Sequence, residues 1–77
     1  MQYRYAWFEE ELTDAGGVPH RSLGVAGYRQ DRGGPHLVTV VADVSADRIW
    51  MEHFVNKCTR MQLHPLHLLD TILDALP

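Results

Sequence analysis

The chain has 77 residues, of which 45% are hydrophobic and 22% are charged, and its formal net charge is −3. This composition predicts one folded domain and excludes the disordered class, although a chain this short buries only about 60% of its unfolded surface. No apolar run is long enough to span a bilayer and no signal-peptide core begins the chain, so we expect a cytoplasmic protein without a membrane segment. Cys58 is the single cysteine, so we expect no internal disulfide.

The first predicted strand covers about residues 2–12. Its aromatic side chains alternate, with Tyr3, Tyr5 and Trp7 on one face and Phe8 on the other, which is the period of a β-strand. The turn formers of residues 13–19 then predict a flexible loop in which the chain reverses.

Two further strands are predicted at about residues 21–30 and 36–44. Gly24 and Gly27 weaken the strand preference of the first and indicate either a bulge or the close approach of another element. The turn formers of residues 31–35 lead into the second, which is rich in β-branched residues, so the three strands predict an antiparallel meander. Alternate residues of the third strand are expected to face opposite sides of the sheet. The side chains expected to face the helices are Val38, Val40, Ala42 and Val44, and those expected on the open side are Leu37, Thr39, Val41 and Asp43.

Two amphipathic helices are predicted at about residues 46–61 and 65–76. Ser45 is expected to cap the first, with Asp47 near the positive end of its dipole. Pro65 separates the helices, because it disfavours a helical residue before it and suits the first position of a new helix. The predicted apolar faces are Met51, Phe54, Val55, Cys58 and Met61 on the first helix, and Leu66, Leu69, Ile72, Leu73 and Leu76 on the second.

The connection between the predicted helices is short, so we expect the helices to pack against each other and to cover one face of the sheet. The predicted fold class is therefore α+β, a three-stranded antiparallel β-meander followed by two α-helices (βββαα), in a single domain of residues 1–77.

Four segments carry a recognisable pattern: Tyr3-Arg4-Tyr5, Ser22-Leu23-Gly24-Val25, Asp43-Val44-Ser45 followed by Asp47, and Leu63-His64-Pro65-Leu66-His67-Leu68-Leu69-Asp70. With these segments the chain resembles a family of short, uncharacterised proteins common in Clostridia-type Firmicutes. The resemblance runs over most of the chain and implies the same order of elements. It implies no catalytic residue, because that family has no assigned activity.

The five histidines raise the question of a metal site. His64, His67 and Asp70 are spaced three residues apart, a spacing that drifts around a helix and differs from the i, i+4 histidine pair of zinc proteases. We expect instead that His64 caps or flanks the turn and that His67 interacts with Asp70 or Thr71. His20 and His36 each follow a proline and could approach each other across the hairpin.

Catalytic chemistry finds no support in the remaining motifs. Ser22, Ser45 and Cys58 lack the base and the orienting acid that a nucleophile needs, and each has a simpler structural role. The run of residues 9–11 is a solvated acidic segment, and the glycine pairs lack the spacing of a phosphate-binding loop. We expect no catalytic residue, no metal and no cofactor.

Single-stranded nucleic-acid binding is the alternative function. Aromatic rings on an open sheet face stack bases in several modules, and the candidates are Tyr3, Tyr5, Trp7 and Tyr28, with Arg4 or Arg29 nearby. The net charge of −3 and the seven basic residues argue against it, because affinity for phosphates depends on Lys and Arg.

Contact with another protein explains more of the sequence. A sheet covered on one side hides only one face of a strand that has aromatic residues on both, so an apolar patch is left for a partner. Asp70 and Asp74 lie toward the negative end of the last helix, where a basic partner would stabilise them, and Ile49 lies opposite its own apolar stripe. The predicted partner-binding residues are Tyr3, Tyr5, Trp7, Tyr28, Ile49, Trp50, Asp70 and Asp74.

We therefore predict a small non-catalytic interaction module, an inhibitor or regulator of a larger nucleic-acid-handling protein in the manner of phage-borne anti-CRISPR proteins. Small size, acidity and the lack of a catalytic set motivate this hypothesis. The expected partner is another protein with a basic surface. The outer strand also offers an edge for self-association, so a homodimer is a further expectation.

Overall fold

The computed structural model describes residues 2–76, and its elements follow the predicted order βββαα. The strands are β1 (Gln2–Thr13), β2 (Pro19–Asp31) and β3 (Gly34–Ser45), and the helices are α1 (Arg48–Arg60) and α2 (Leu68–Ala75), with one 3-10 turn at Pro65–His67 before α2. The strands form one antiparallel sheet in the order β1-β2-β3, which confirms the predicted meander.

The strands are much longer than the helix that covers them. Twelve residues of β1 at about 3.3 Å each extend about 40 Å, whereas the 13 residues of α1 at about 1.5 Å each extend about 20 Å. The helix α1 packs mainly against β1 and β2. About half of the sheet length and most of β3 therefore lie outside the helix layer.

The core lies between α1 and the helix-facing side of β1 and β2. Its most deeply buried residues include Val25 and Met51, both fully inaccessible to solvent, and Leu68. The predicted apolar stripe of α1 is confirmed except at Met61, which is exposed because the helix ends at Arg60 and Met61 is its C-cap. Cys58 is buried as predicted, and burial raises the pKa of its thiol.

Gly24 and Gly27 each lie beneath an aromatic ring of β1. Gly24 pairs with Phe8 and Gly27 with Tyr5, and the two pairs face opposite sides of the sheet. A Cβ atom at Gly24 would lie 2.4 Å from Phe8 Cζ, and one at Gly27 would lie 2.8 Å from Tyr5 Cε1. Both glycines mark a close approach, because any side chain there would overlap a ring, and a register shift of the β2–β3 pairing also lies at each, so both predicted alternatives are found.

The predicted facing of β3 is wrong at Val38, Val40 and Ala42, which are exposed. It is also wrong at Val41, which packs against the core, and at Thr39, which lies with Tyr5 on the helix-facing side of Gly27. Val41 pairs with the buried Val25, so the two share the helix-facing side. The pairing of β2 with β3 shifts register twice, and each shift changes which residues face the helices. The shift near Asp43, whose φ is 53°, returns Val44 to the core side.

The ends of the helices also differ from prediction. Asp47, not Ser45, is the N-cap of α1: its Oδ1 accepts from the backbone N–H of Trp50 at 3.0 Å. The hydroxyl of Ser45 accepts instead from the N–H of Asp47. An aspartate two positions later makes the same cap, because its carboxylate reaches the third N–H of the helix just as a serine hydroxyl would.

The two hairpins lie at opposite ends of β2. His20 pairs with Leu12 and His36 with Arg29, so these histidines do not approach each other. The first turn, predicted as a flexible loop, is hydrogen-bonded: Asp14 Oδ1 accepts from the N–H groups of Gly16 and Val18, each at 2.9 Å.

Candidate interaction surface

Tyr5 is a core residue and is not available to a partner. Its side chain is 4% exposed, and its hydroxyl donates to the carbonyl of Leu63. Burial, reinforced by the neighbouring Cys58 and Tyr3, raises the pKa of Tyr5 from 10.0 to about 12. Tyr5, predicted to bind a partner, therefore presents almost no surface to one, because the helix layer covers the first half of β1.

The other aromatic residues do not form one platform. Tyr3 and Trp7 are half-buried at the edge of the core, where Tyr3 meets the ring of His64 and the guanidinium of Arg48 lies 5.4 Å from the Trp7 ring centroid. Tyr28 lies on the opposite, open face of the sheet. The four rings considered for base stacking are thus divided between two faces, with Tyr5 enclosed.

At the start of α1, Ile49 is 72% exposed and points away from the core, as its position opposite the apolar stripe predicts. Trp50 is half-buried, because its ring stacks on Phe54 with centroids 5.0 Å apart and planes inclined by 8°. Ile49 therefore presents an isolated apolar side chain, and Trp50 belongs partly to the core.

A second apolar stripe on the last helix is exposed. Leu68 and Ile72 anchor α2 in the core, whereas Leu66, Leu69 and Leu73 are 78%, 53% and 61% exposed. These last three, spaced i, i+3 and i+7, are neighbours along one side of the 3-10 turn and α2, and we call them the leucine face. The predicted burial of all three is wrong, because Leu68 directs a different side of α2 toward the core.

Asp70 and Asp74 are exposed next to the leucine face, one residue beyond Leu69 and Leu73. Within residues 2–76, neither carboxylate forms an ion pair, and no Lys or Arg follows Arg60. Asp74 lies in the last turn of α2, near the negative end of its dipole, where a carboxylate is unfavourable. The surface therefore combines exposed leucines with unpaired negative charge.

A groove of about 220 Å³ separates α1 from α2 on the side of α2 away from the leucine face. Its walls include Phe54, Met61 and Ala75, and the buried Cys58 contributes to its base. The lining is largely apolar, so the groove would accept a hydrophobic side chain and offers little to a polar substrate.

The histidines of the last segment have structural partners. His64 Nδ1 accepts from the N–H of Leu66 at 3.1 Å, which confirms its predicted capping role. The backbone carbonyl of His67, not its ring, accepts from the hydroxyl of Thr71 at 2.7 Å. In the part of the chain that the structure describes, no three His, Cys, Asp or Glu side chains converge as metal ligands would.

Comparison with known protein families matches residues 1–77 to DUF6514, a family of unknown function. The chain belongs to this family. The match covers the whole chain and agrees with the resemblance to short uncharacterised proteins. Neither the comparison with curated proteins nor that with solved structures gives a match.

No helix in residues 2–76 of this DUF6514 chain is long and apolar enough to cross a membrane.

Sequence reasoning missed the leucine face, although a signal for it was present. From residue 66 to 76, leucine or isoleucine occupies six positions, more than one stripe of a helix can hold. Such a helix has apolar side chains on two sides, and a single layer of sheet and helix buries only one of them. The excess of leucines was thus the available sign of an exposed apolar surface.

Proposed function

We propose that this DUF6514 chain is a non-catalytic interaction module, an inhibitor or regulator of a larger nucleic-acid-handling protein in the manner of anti-CRISPR proteins. The observation that carries the proposal is the leucine face beside the unpaired Asp70 and Asp74. We further propose a bacterial or phage origin, in keeping with the resemblance to Clostridia-type proteins and the anti-CRISPR-like role, and action in the cytoplasm, as the sequence predicts.

The leucine face supports binding through hydrophobic burial. Fully burying a leucine contributes about 1.5–3 kcal/mol relative to exposing it, and each of these three is already partly covered, so together they would contribute about 3 kcal/mol. That is a central hot spot, not a complete interface, and a partner would also have to contact neighbouring surface. The contact should be apolar at its centre and charged at its rim.

The two aspartates support a basic partner. Proteins that handle nucleic acid bind phosphates through Lys and Arg, and carboxylates held on a helix can form charge-assisted hydrogen bonds with the same side chains. Asp70 and Asp74 are four residues apart, so both project from one side of α2. If the Lys and Arg residues of a partner pair with these aspartates, they can no longer bind the phosphates of nucleic acid.

The experiment measures binding and inhibition with a panel of purified Cas nucleases, using biolayer interferometry and a DNA-cleavage assay. The test variants are Leu69→Ala/Leu73→Ala and Asp70→Lys/Asp74→Lys. Their matched controls are Val18→Ala, an exposed apolar residue of the first turn, and Glu52→Lys, an exposed carboxylate on α1. Each test variant should weaken binding at least about tenfold, or about 1.4 kcal/mol, while the controls retain it.

Loss of binding in the Glu52→Lys control to the same extent would show that net charge, not this surface, determines the interaction. The absence of binding and inhibition across the panel would overturn the anti-CRISPR-like role. Binding of the isolated protein to single-stranded DNA, weakened by Tyr28→Ala and not by the α2 variants, would favour the nucleic-acid alternative.

A further inference from the structure

Two side chains, Thr59 in the last turn of α1 and Gln62 just after the helix, close the outer edge of β1 at Tyr3 and Tyr5. The Gln62 amide pairs with both backbone groups of Tyr3: its Oε1 accepts from the N–H at 2.9 Å, and its Nε2 donates to the carbonyl at 2.9 Å. The Thr59 hydroxyl accepts from the N–H of Tyr5 at 2.9 Å. These side chains occupy the positions that the backbone of an added strand would use.

The backbone at Gln62 explains why a long amide stands there. The N–H of Leu63 donates to the carbonyl of Cys58, and the N–H of Gln62 donates to that of Thr59, which together form a Schellman motif. Gln62 is its left-handed residue, with φ 53°, a position where glycine is usual. A glycine would end the helix equally well but would leave the Tyr3 edge open.

The outer edge of β3 has no such closure. The backbone groups of residues 35–44 on one side pair with β2. Within residues 2–76, no side chain forms a hydrogen bond with the backbone of these residues. Leu37, Val38 and Val40 are 58%, 41% and 51% exposed. β-branched residues on an uncovered edge favour the addition of another strand.

We propose that β3 pairs antiparallel with β3 of a second copy of this chain, forming a continuous six-stranded sheet. Residues 37–42 carry no charge, so a second copy can approach without opposing like charges. The pairing centres on Thr39–Val41, the regular stretch between the two register shifts. Because β1 is closed at Tyr3 and Tyr5, β3 is the more open edge, and two-fold pairing through β3 uses that edge of both copies and stops at a dimer.

The leucine face is a poorer site for a second copy. It is flanked by Asp70 and Asp74, and residues 61–76 offer no Lys or Arg to receive the carboxylates of a partner molecule. The two surfaces are therefore separate, and this inference does not depend on the proposed function.

The test is light scattering coupled to size exclusion over a range of concentrations up to about 1 mM, the weak limit of specific association. The wild type should elute as a dimer of the 8.8 kDa chain. Val38→Lys/Val40→Lys should raise the dissociation constant at least about tenfold, because the lysines of two copies would meet across the pairing. Val18→Lys is the matched control, and circular dichroism establishes that each variant is folded.

A Val40→Cys chain in a Cys58→Ser background gives an independent readout, since opposed residues on paired strands have Cβ atoms about 5 Å apart. It should form a disulfide-linked dimer under mild oxidation, and a Val18→Cys chain in the same background should not. A monomer at every concentration would overturn the inference. So would a dimer that survives the lysine variant but dissociates in Leu69→Ala/Leu73→Ala, because that result would place the contact on α2.

Discussion

The substitution Gly24→Ala should destabilise the protein, although alanine has the more favourable backbone in a strand. The added Cβ atom would lie 2.4 Å from Phe8 Cζ and 2.8 Å from the carbonyl oxygen of Val41. The ring can move aside, but the carbonyl belongs to the β2–β3 pairing and cannot. The methyl group must therefore separate the strands or displace Phe8 from the open face.

The magnitude follows from two opposing effects. Overpacking costs about 1–3 kcal/mol, and the lower backbone entropy of alanine in the unfolded chain returns about 0.5–1 kcal/mol. The expected net loss is about 1–2 kcal/mol, which lowers the melting temperature by about 4–16 °C in a domain of this size. The assay is thermal and urea unfolding followed by circular dichroism. Gly16→Ala is the matched control, because its nearest neighbour would be 3.4 Å away, an ordinary contact.

A double-mutant cycle with Phe8→Ala separates the two obstacles. Removing the ring should relieve part of the cost of Gly24→Ala, so the double variant should be more stable than the sum of the two single effects predicts. The remaining cost measures the contact with Val41. If Gly24→Ala is as stable as Gly16→Ala, or if the two substitutions are additive, the proposed packing of the ring on the glycine is wrong.

Three further predictions test the core. The folded-state pKa of Tyr5 is raised from 10.0 to about 12, so the stabilisation from its neutral hydroxyl is complete below pH 10 and is lost as the pH rises toward 12, because the unfolded state ionises first. Tyr5→Phe should therefore remove a decline in the free energy of unfolding between pH 10 and about 12. Urea unfolding of both proteins at about pH 8 and about pH 11 would detect the difference. Cys58 should react slowly with a thiol reagent in the native protein and rapidly in urea, since its thiol is buried and its pKa is raised; equal rates would contradict that burial. Leu68→Ala should lower the free energy of unfolding by about 2–5 kcal/mol and Leu69→Ala by well under 1 kcal/mol, because Leu68 is buried and Leu69 is exposed. Urea unfolding measures both, and similar losses would refute the assignment of the leucine face.

The order and type of the elements could be predicted because each depends on local chemistry. Alternation of aromatic and β-branched residues specifies strands, the turn formers at residues 13–19 and 31–35 specify reversals, and Pro65 specifies a break. Cys58 was correctly placed in the core, since a complete α-helical stripe surrounds it. In each case the information lies within a few residues of sequence.

The exposure of the predicted partner-binding residues could not be read from local sequence in the same way. Tyr5 and Tyr28 both read as surface aromatics, yet one is enclosed beneath α1 and the other lies on the opposite face. Which ring the helix covers depends on where a helix about 20 Å long lies on a strand about 40 Å long, and no local pattern encodes that position.

The sequence alone determined the order of three strands and two helices, because hydrophobic period and turn chemistry are local properties. The tertiary structure decided which leucines of α2 are buried, which valines of β3 face the helices and which edge of the sheet is closed. Those outcomes depend on Leu68 anchoring α2, on register shifts between β2 and β3, and on Gln62 reaching Tyr3 across 59 positions of sequence. Each is a contact between distant residues, so it exists only once the chain has folded.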